Sequence, residues 1–419
     1  MNARDHALTL PALRRAERVP RATLLALDML DRIGGGALGV DLPGGLHLHL
    51  GHGKPAAHLQ VHDHAVFAET LARGDIGFAE AYMDGLWDSD DPSALLTLLA
   101  NNREVLDAAI RGRVLRLLGH RLAHLLNANT RRRARRNIEA HYDLGNDFYA
   151  LWLDPTMTYS AALFAGDDEA DTADAAGVLA AAQLRKYRRI LERLAPQPGQ
   201  TVLEIGCGWG GFAEVAATEF GCRVLGLTLS PAQLAFARER AVRGAYADRA
   251  RFELCDYRDV RGQYDHIVSI EMLEAVGERY WPVYFARIAE LLKPGGRCAV
   301  QTITIADALF ARYRRGTDFI QRHIFPGGML PSPAALRRGA GRAGLAIADD
   351  FAFGRDYGRT LAHWQRAFMA RAGEVRELGF PERFMRMWRF YLAYCEAGFV
   401  SGDIDVHQYV FEHAAARAG

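Results

Sequence analysis

From residue 201 onward, short apolar β-rich runs alternate with amphipathic segments of helical length. Strands are predicted near Thr201–Ile205, Arg223–Leu227, Arg251–Cys255, His266–Ile270, Gly296–Ile303 and Ala346–Phe351. Helices fall between them, near Gly211–Glu219, Pro231–Val242, Glu278–Leu292 and Pro333–Ala343. Such alternation predicts an α/β fold with a mostly parallel, doubly wound sheet. Asp405–Glu412 predicts a closing strand, antiparallel at the sheet edge, and Ala170–Leu194 a long helix feeding the core. Ligands of such sheets bind beyond the carboxyl ends of the strands. That rule gathers residues 206–211, 228–233, 256–257, 271–274 and 301–304 on one rim.

Upstream the pattern changes. Gly45–Val61 alternates apolar and polar residues around a glycine-rich turn and predicts a β-hairpin. Gly74–Leu99 predicts short amphipathic helices joined by turns, with Tyr82 and Trp87 as apolar anchors. The charge is most lopsided further on, where arginines from Arg111 to Arg136 occur without an acid and leucines interleave at helical spacing. An amphipathic basic helix of this kind suits an anionic membrane surface; a solvated linker helix is the alternative. RNA is disfavoured, because no aromatic residues are interleaved for stacking. We therefore divide the chain into residues 1–125, a docking domain with a basic linker helix, and residues 126–419, a catalytic domain. Asn137–Phe164 is dense in aromatics and could cover a cofactor, or simply pack as helix and turn. Ile305–Pro331 exceeds a normal connection and reads as a lid or channel wall.

Composition narrows the class. The chain has 419 residues, half of them hydrophobic, and a formal charge of +1, which excludes a globally basic nucleic-acid binder. Its five cysteines include no C-x-x-C pair and read as reduced thiols of a cytoplasmic protein. No apolar run is long enough to span a bilayer. Histidines cluster between His47 and His64, yet a polar strand face explains them, and no metal is expected.

Thr201–Ala213 reads TVLEIGCGWGGFA: strand, glycine turn, helix. Backbone must approach a ligand closely there, and side chains would obstruct it. Gly206, Gly208 and Gly211 satisfy the dinucleotide spacing G-x-G-x-x-G. Two details oppose that reading. Glu204 would repel a pyrophosphate but suits a cationic ligand. The second strand also ends in Thr228, Leu229 and Ser230, without the acid that would hold a ribose. Glu204, Gly206, Gly208 and Gly210 instead give E-x-G-x-G-x-G, as in S-adenosylmethionine methyltransferases. Asp256 could accept from an adenine amino group with Tyr257 packed on its face; a solvated loop acid is the alternative.

Several stretches together resemble the cyclopropane-fatty-acyl-phospholipid synthase family, including its mycolic-acid-modifying relatives. They are HYDLGNDFYALWLDPTMTYS, VLEIGCGWGGFA, GLTLSPAQ, CDYRD, VSIEMLEAVGERYWPVYF, LLKPGGRCAVQTITI, FIQRHIFPGGMLPS and FGRDYGRTLAHW, spanning Asn137 to Trp364 in family order. The resemblance implies a class I methyltransferase fold with a seven-stranded sheet, a helical lid and a smaller N-terminal α+β domain. It implies that Tyr142, Tyr159 and Ser160 touch S-adenosylmethionine, that Gly206, Gly208 and Gly210 lie along it, that Thr228 and Gln233 sit near the ribose, and Asp256 and Tyr257 near adenine. It further implies a bicarbonate base held by a Glu, a Cys, a His, an Ile backbone and a Tyr. Glu274, Ile303 and Tyr357 match three of these.

The chain departs at two of them. Ala161 follows Tyr159 and Ser160 where the family usually has Cys, and Gln301 precedes Thr302 and Ile303 where it usually has His. Gln301 can donate a hydrogen bond but cannot carry a proton. Glu271 also stands where the family usually has a small residue. Bicarbonate use and ring closure are the points these changes open.

The expected chemistry is electrophilic methylation of an alkene in a dry pocket. Aromatic faces such as Tyr142, Phe164, Tyr280 and Tyr357 would stabilise the carbocation. Glu274 is the first choice as base or base holder, oriented by Tyr357. The expected product is a cyclopropane fatty acid in membrane phospholipid; methylation without ring closure is the alternative. A small-molecule methyltransferase and a lipid-binding protein without catalysis are the rival readings. Because an acyl chain of about sixteen methylenes costs on the order of 12 kcal/mol to draw into water, the enzyme is expected at the inner face of the membrane. A homodimer is compatible with the sequence, which does not set the oligomeric state.

Overall fold

A computed structural model describes residues 19–106, 144–166 and 175–415. The segment Arg111–Arg136, Tyr142 and the first residues of the predicted helix at Ala170 lie outside them.

The central sheet has seven strands in the order β10-β11-β9-β8-β5-β6-β7. They are β5 (Thr201–Ile205), β6 (Arg223–Thr228), β7 (Ala250–Leu254), β8 (Tyr264–Ile270), β9 (Leu292–Ile305), β10 (Leu345–Ala352) and β11 (Ile404–His413). Strands β5 to β9 pair in parallel. Val202, Leu203, Ile205, Ile267 and Val268 are buried, as expected of strands covered on both faces. The covering helices include α6 (Ala175–Leu194), α7 (Gly211–Thr218), α8 (Pro231–Arg243), α10 (Trp281–Leu291) and α12 (Pro333–Arg342). Ser230 and Ser332 cap α8 and α12 by accepting from the Gln233 and Ala335 amides, each followed by a proline at the first helical position.

Strand β11 is antiparallel as expected, but it does not close the edge. It lies between β9 and β10, antiparallel to both. The reason is burial. Val406, Gln408, Tyr409, Val410 and Phe411 are all buried, whereas β10 exposes alternate residues and carries Asp349 and Asp350, which suit an edge.

The N-terminal sheet runs β2-β1-β3-β4, with β1 (Ala37–Leu42), β2 (Leu46–Gly51), β3 (Pro55–Val61) and β4 (Trp87–Asp88). The predicted hairpin is corrected here: β2 and β3 do not pair but flank β1, antiparallel and parallel to it respectively. Strand β1 takes the centre because Ala37, Leu38 and Val40 are fully buried. Its Gly39 leaves room for His58, whose ring would lie 2.5 Å from an added Cβ. Around this sheet pack α1 (Arg21–Leu30), α2 (Ala65–Arg73), α3 (Asp75–Met83) and α4 (Pro92–Asn101).

Helices α13 (Gly354–Ala370), α14 (Ala372–Glu377) and α15 (Glu382–Val400) join the two sheets. Trp87 stacks on Phe78 with ring centroids 4.2 Å apart and meets Phe390 of α15 edge-on. The Arg386 guanidinium donates to the Tyr82 and Trp87 carbonyls and to Asp88. One apolar core therefore runs from Leu27 through Trp87 to Trp388. Among the described residues no helix is long and apolar enough to cross a membrane.

Candidate active site

The glycine turn is built for close approach. Gly206, Gly208 and Gly210 have φ of 85, 51 and 85°, a region open to glycine at little cost. The Gly206 and Cys207 amides both donate to the Leu227 carbonyl, pinning the turn to β6. An added Cβ on Gly208 would meet nothing within 4 Å among the described residues, and Gly208 lines the cavity. Gly210 differs: it caps α7, and its Cβ would meet Ala237 at 3.2 Å. Its glycine serves helix–helix packing and does not line the cavity.

Glu204 lines that cavity, is buried, and its Oε2 has no hydrogen-bond partner among the described residues. Burial pushes its carboxyl up to about 8, against the pull of Lys186 and Arg240. An orphaned buried carboxylate beside a bare glycine backbone fits a cationic ligand of S-adenosylmethionine type. Thr228 Oγ1 donates to Gln233 Oε1 at 2.9 Å, and both line the same wall. Asp256 accepts from the Arg258 guanidinium at 2.6 and 2.8 Å, and Tyr257 packs edge-on to Tyr284. Tyr159 shares a 2.7 Å hydrogen bond with Tyr391, and Ser160 Oγ accepts from Lys186 Nζ at 2.7 Å.

At the other end two carboxylates meet. Glu271 lies at the end of β8 with φ of 50°, a left-handed conformation that costs a side-chain-bearing residue roughly 1–2 kcal/mol. Its Oε1 accepts from the Ala161 amide and from Gln301 Nε2, each at 2.8 Å, and its Oε2 from the Tyr357 hydroxyl at 2.6 Å. Glu274, in α9 (Leu273–Val276), accepts at Oε1 from the Ile303 amide and from Thr302 Oγ1, while Oε2 has no partner among the described residues. Both carboxyls are half-buried and line the cavity. Burial raises both, and Glu271 adds to the push on Glu274, which reaches about 8. Three donors and Lys186 oppose the rise at Glu271. Glu271 is thus the better placed to stay ionised, and Glu274 to keep its proton.

A bicarbonate does not fit this arrangement. The donors at positions 161, 301 and 357 are taken by the carboxylate of Glu271, and the Ile303 amide by Glu274. Tyr280, Ile303 and Tyr357 do line the cavity, as expected of groups near the reaction. Gln301 is wholly buried behind Glu271. Phe164 is corrected: it stacks on His363 under the Arg359 guanidinium, away from the cavity wall.

Lys186 was missed from the sequence. It is completely buried, and its neighbours Glu271, Asp154 and Glu204 hold up an ammonium that burial lowers to about 7. A lysine on the apolar face of α6 is the faint signal that could have found it. The cavity, of about 1290 Å³, continues past Glu271 along Leu309, Phe325 and Leu330 to Leu38, Leu59 and Leu95 of the N-terminal unit. Residues 309–330 form one wall, through α11 (Asp307–Tyr313) and a π-helical turn at Ile320–Ile324.

Residues 129–409 match the family described as mycolic acid cyclopropane synthetase. The tuberculostearic acid methyltransferase UfaA1 of Mycobacterium tuberculosis is 43% identical over 357 residues, covering 84% of this chain and 83% of that one. The cyclopropane-fatty-acyl-phospholipid synthase of Escherichia coli K12 is 34% identical over 372 residues, covering 86% and 89%. The crystal structure of mycolic acid cyclopropane synthase CmaA1 with SAH and CTAB superposes with a TM-score of 0.61 at 32% identity, covering 66% of this chain and 97% of that one. With the glycine turn and its buried Glu204 in place, the chain belongs to the mycolic acid cyclopropane synthetase family and is an S-adenosylmethionine-dependent methyltransferase.

Proposed function

We propose that the enzyme methylates the double bond of an unsaturated acyl chain, with Glu271 as the base, and releases a methyl-substituted chain without closing a ring. One observation carries this reading: Glu271 fills the cradle of donors that would otherwise hold a small anion. The 43% identity to a protein named for fatty-acid methylation supports it.

S-adenosylmethionine supplies an electrophilic methyl group on a sulfonium. Glu204, the Gly206–Gly208 backbone, Thr228 and Gln233 would hold it, with Asp256 and Tyr257 at the adenine end and Tyr159 and Ser160 closing over it. The alkene π pair would form the new C–C bond to that methyl as its bond to sulfur breaks, the S–C pair leaving with S-adenosylhomocysteine, and would put positive charge on the neighbouring carbon. Tyr280 and Tyr357, which line the cavity, would stabilise that charge, and the apolar wall would exclude water. Glu271 then takes a proton, and the C–H pair becomes a new double bond. Loss of a proton from the added methyl to the base, with the C–H pair closing onto the cationic carbon, would instead give a cyclopropane. A base fixed to the end of β8 by three hydrogen bonds cannot follow that methyl as a free ion could. The retained Glu274–Ile303 contact favours the ring as second reading.

The substrate tail would occupy the apolar extension of the cavity. Chains would be drawn from membrane phospholipid, with Arg131, Arg132 and Arg133 contributing to an anionic surface contact; their joint replacement by alanine should weaken binding to anionic vesicles at low salt.

The test is mass spectrometry of host lipids with and without expression. Both products gain one CH2. Mild hydrogenation adds two hydrogens to a surviving double bond and none to a ring. A gain of CH2 that resists hydrogenation overturns the ring-free reading; no CH2 gain overturns acyl methylation.

A further inference from the structure

Behind Glu271 runs a row of hydrogen-bonded side chains, buried at Gln301 and Gln408 and partly exposed at Arg189 and Asp349. Arg189 of α6 donates from Nη2 to Asp349 at 2.8 Å and from Nη1 to Gln408 Oε1 at 2.7 Å, its guanidinium lying over the Phe351 ring. Gln408 Nε2 donates to Gln301 Oε1 at 3.0 Å, and Gln301 Nε2 to Glu271 Oε1 at 2.8 Å. Gln408 and Gln301 are direct partners across β11 and β9, both essentially without exposure. The row has a direction. A guanidinium only donates, so it must meet the oxygen of the Gln408 amide. That turns the Gln408 NH2 toward Gln301, where it also reaches the Lys186 carbonyl at 3.4 Å. The Gln301 oxygen is thereby occupied, and only its NH2 is left for Glu271.

We propose that Gln408 and Arg189 are positioning residues that set the polarity of Gln301, so that its amide always donates to Glu271 and holds that carboxylate as a proton acceptor. The inference rests on the reading of Glu271 as base. The charged and titratable groups facing Glu271 are Lys186 of α6, Glu274 of α9 and Tyr357 of α13. Glu204 and Asp154 act on Lys186, Tyr159 on Tyr357, and Arg193 on Arg189. None of these is altered by changing Gln408.

The decisive variants of the full chain are Gln408→Glu and Gln408→Met. Glu at 408 still accepts from Arg189 but cannot donate, so Gln301 must rotate and turn its oxygen on Glu271. Loss of a donated hydrogen bond disfavours the charged form. The Glu271 titration midpoint should rise by on the order of 1–2 pH units in Gln408→Glu. It should rise less in Gln408→Met, where Gln301 is released rather than reversed. The midpoint is read by NMR on protein carrying 13C-labelled glutamate, with the signal assigned by its loss in Glu271→Gln. The acid limb of kcat against pH should move up with it. A role in packing alone predicts the opposite order, since Glu keeps the shape and the Arg189 contact. Arg189→Met, with Gln408 intact, should shift the midpoint in the same direction by a smaller amount and serves if the β11 variants do not fold. In a Gln301→Met background Gln408→Glu should add little; an equal further shift would show a direct effect of charge and overturn the relay. An unchanged midpoint in both Gln408 variants, with melting temperature and S-adenosylhomocysteine affinity as in wild type, overturns it too. Failure of the base reading is seen separately, as Glu271→Gln that turns over normally.

Discussion

Between Glu204 and Gly211 one short run of chain makes the cofactor end of the cavity, from a strand, a turn and the first residue of a helix. The base end is gathered from afar: Ala161, Glu271, Gln301 and Tyr357 come from a loop, the end of β8, β9 and α13. The first is held by backbone geometry and tolerates a ligand because side chains are missing. The second is held by side-chain hydrogen bonds around a residue in a strained conformation. A backbone-built site can recur in many chemistries, whereas a side-chain-built site can be rewritten one residue at a time. The proposed replacement of a mobile ion by a tethered carboxylate would need such a site.

The sharpest way to break this contrast is to change Glu271. Glu271→Gln keeps the shape but removes the proposed base, and turnover should fall roughly 10²–10⁴-fold, while S-adenosylmethionine affinity by calorimetry stays near wild type. Comparable losses in both would show that the two ends are not independent. Glu271→Gly removes the left-handed side chain and empties the cradle of donors. Added bicarbonate should then restore part of the activity, and should do nothing for the wild-type enzyme. Bicarbonate-dependent wild-type turnover would sink the assignment of Glu271 as base.

The reciprocal change is Gly206→Val. A side chain at φ 85° costs roughly 1–2 kcal/mol, and the added Cβ would meet Met272 at 3.1 Å. Cofactor affinity should fall about tenfold or more, seen in KM for the methyl donor, with the acid limb of the kcat profile unmoved. A shifted acid limb instead would couple the turn to Glu271.

The same contrast explains what the sequence discloses. The parallel strands β5 to β9 are local patterns, and they were legible. So was the glycine turn, where residue type and spacing alone dictate the backbone. The order of β10 and β11 was not, because an isolated strand carries no record of which neighbour it buries against. In the N-terminal unit, β1 enters between two runs that read as a hairpin, a non-local pairing that periodicity does not encode. Glu271 showed as an acid at the rim, in a place where the family usually has a small residue, but not as the partner of residues 161, 301 and 357. Its conversion from neighbour to occupant of the cradle needs Tyr357, and α13 carries that residue on a buried stripe with Leu361, Trp364 and Phe368. That spacing was visible, but what it packed against was not. Lys186 and the Arg189–Gln408 row are hidden for the same reason.

The smallest effect is thermodynamic and separates the two carboxylates. The Glu274 carboxyl rises from an ordinary 4.5 to about 8, first through burial and then through Glu271. Between those values the folded protein keeps a proton that the unfolded chain has released. The contribution is therefore fully present below pH 4.5 and is lost as pH rises through 8, with a slope of at most about 1.4 kcal/mol per pH unit. Lys186 runs the other way: its ammonium falls from 10.5 to about 7, so its share of stability grows as pH climbs through that window. Burial also lifts Glu204 to about 8, and its loss adds to that of Glu274. Urea midpoints should therefore decline from pH 5 to 7, decline less steeply to 8 as Lys186 begins to oppose the two acids, and recover above it. Glu274→Gln should shallow that decline without abolishing it, because Glu204 remains. It should also leave catalysis far less damaged than Glu271→Gln does, since a neutral amide at 274 can still accept from the Ile303 amide. A decline as steep in Glu274→Gln as in wild type would place the retained proton elsewhere, and with it the division of labour between the paired acids.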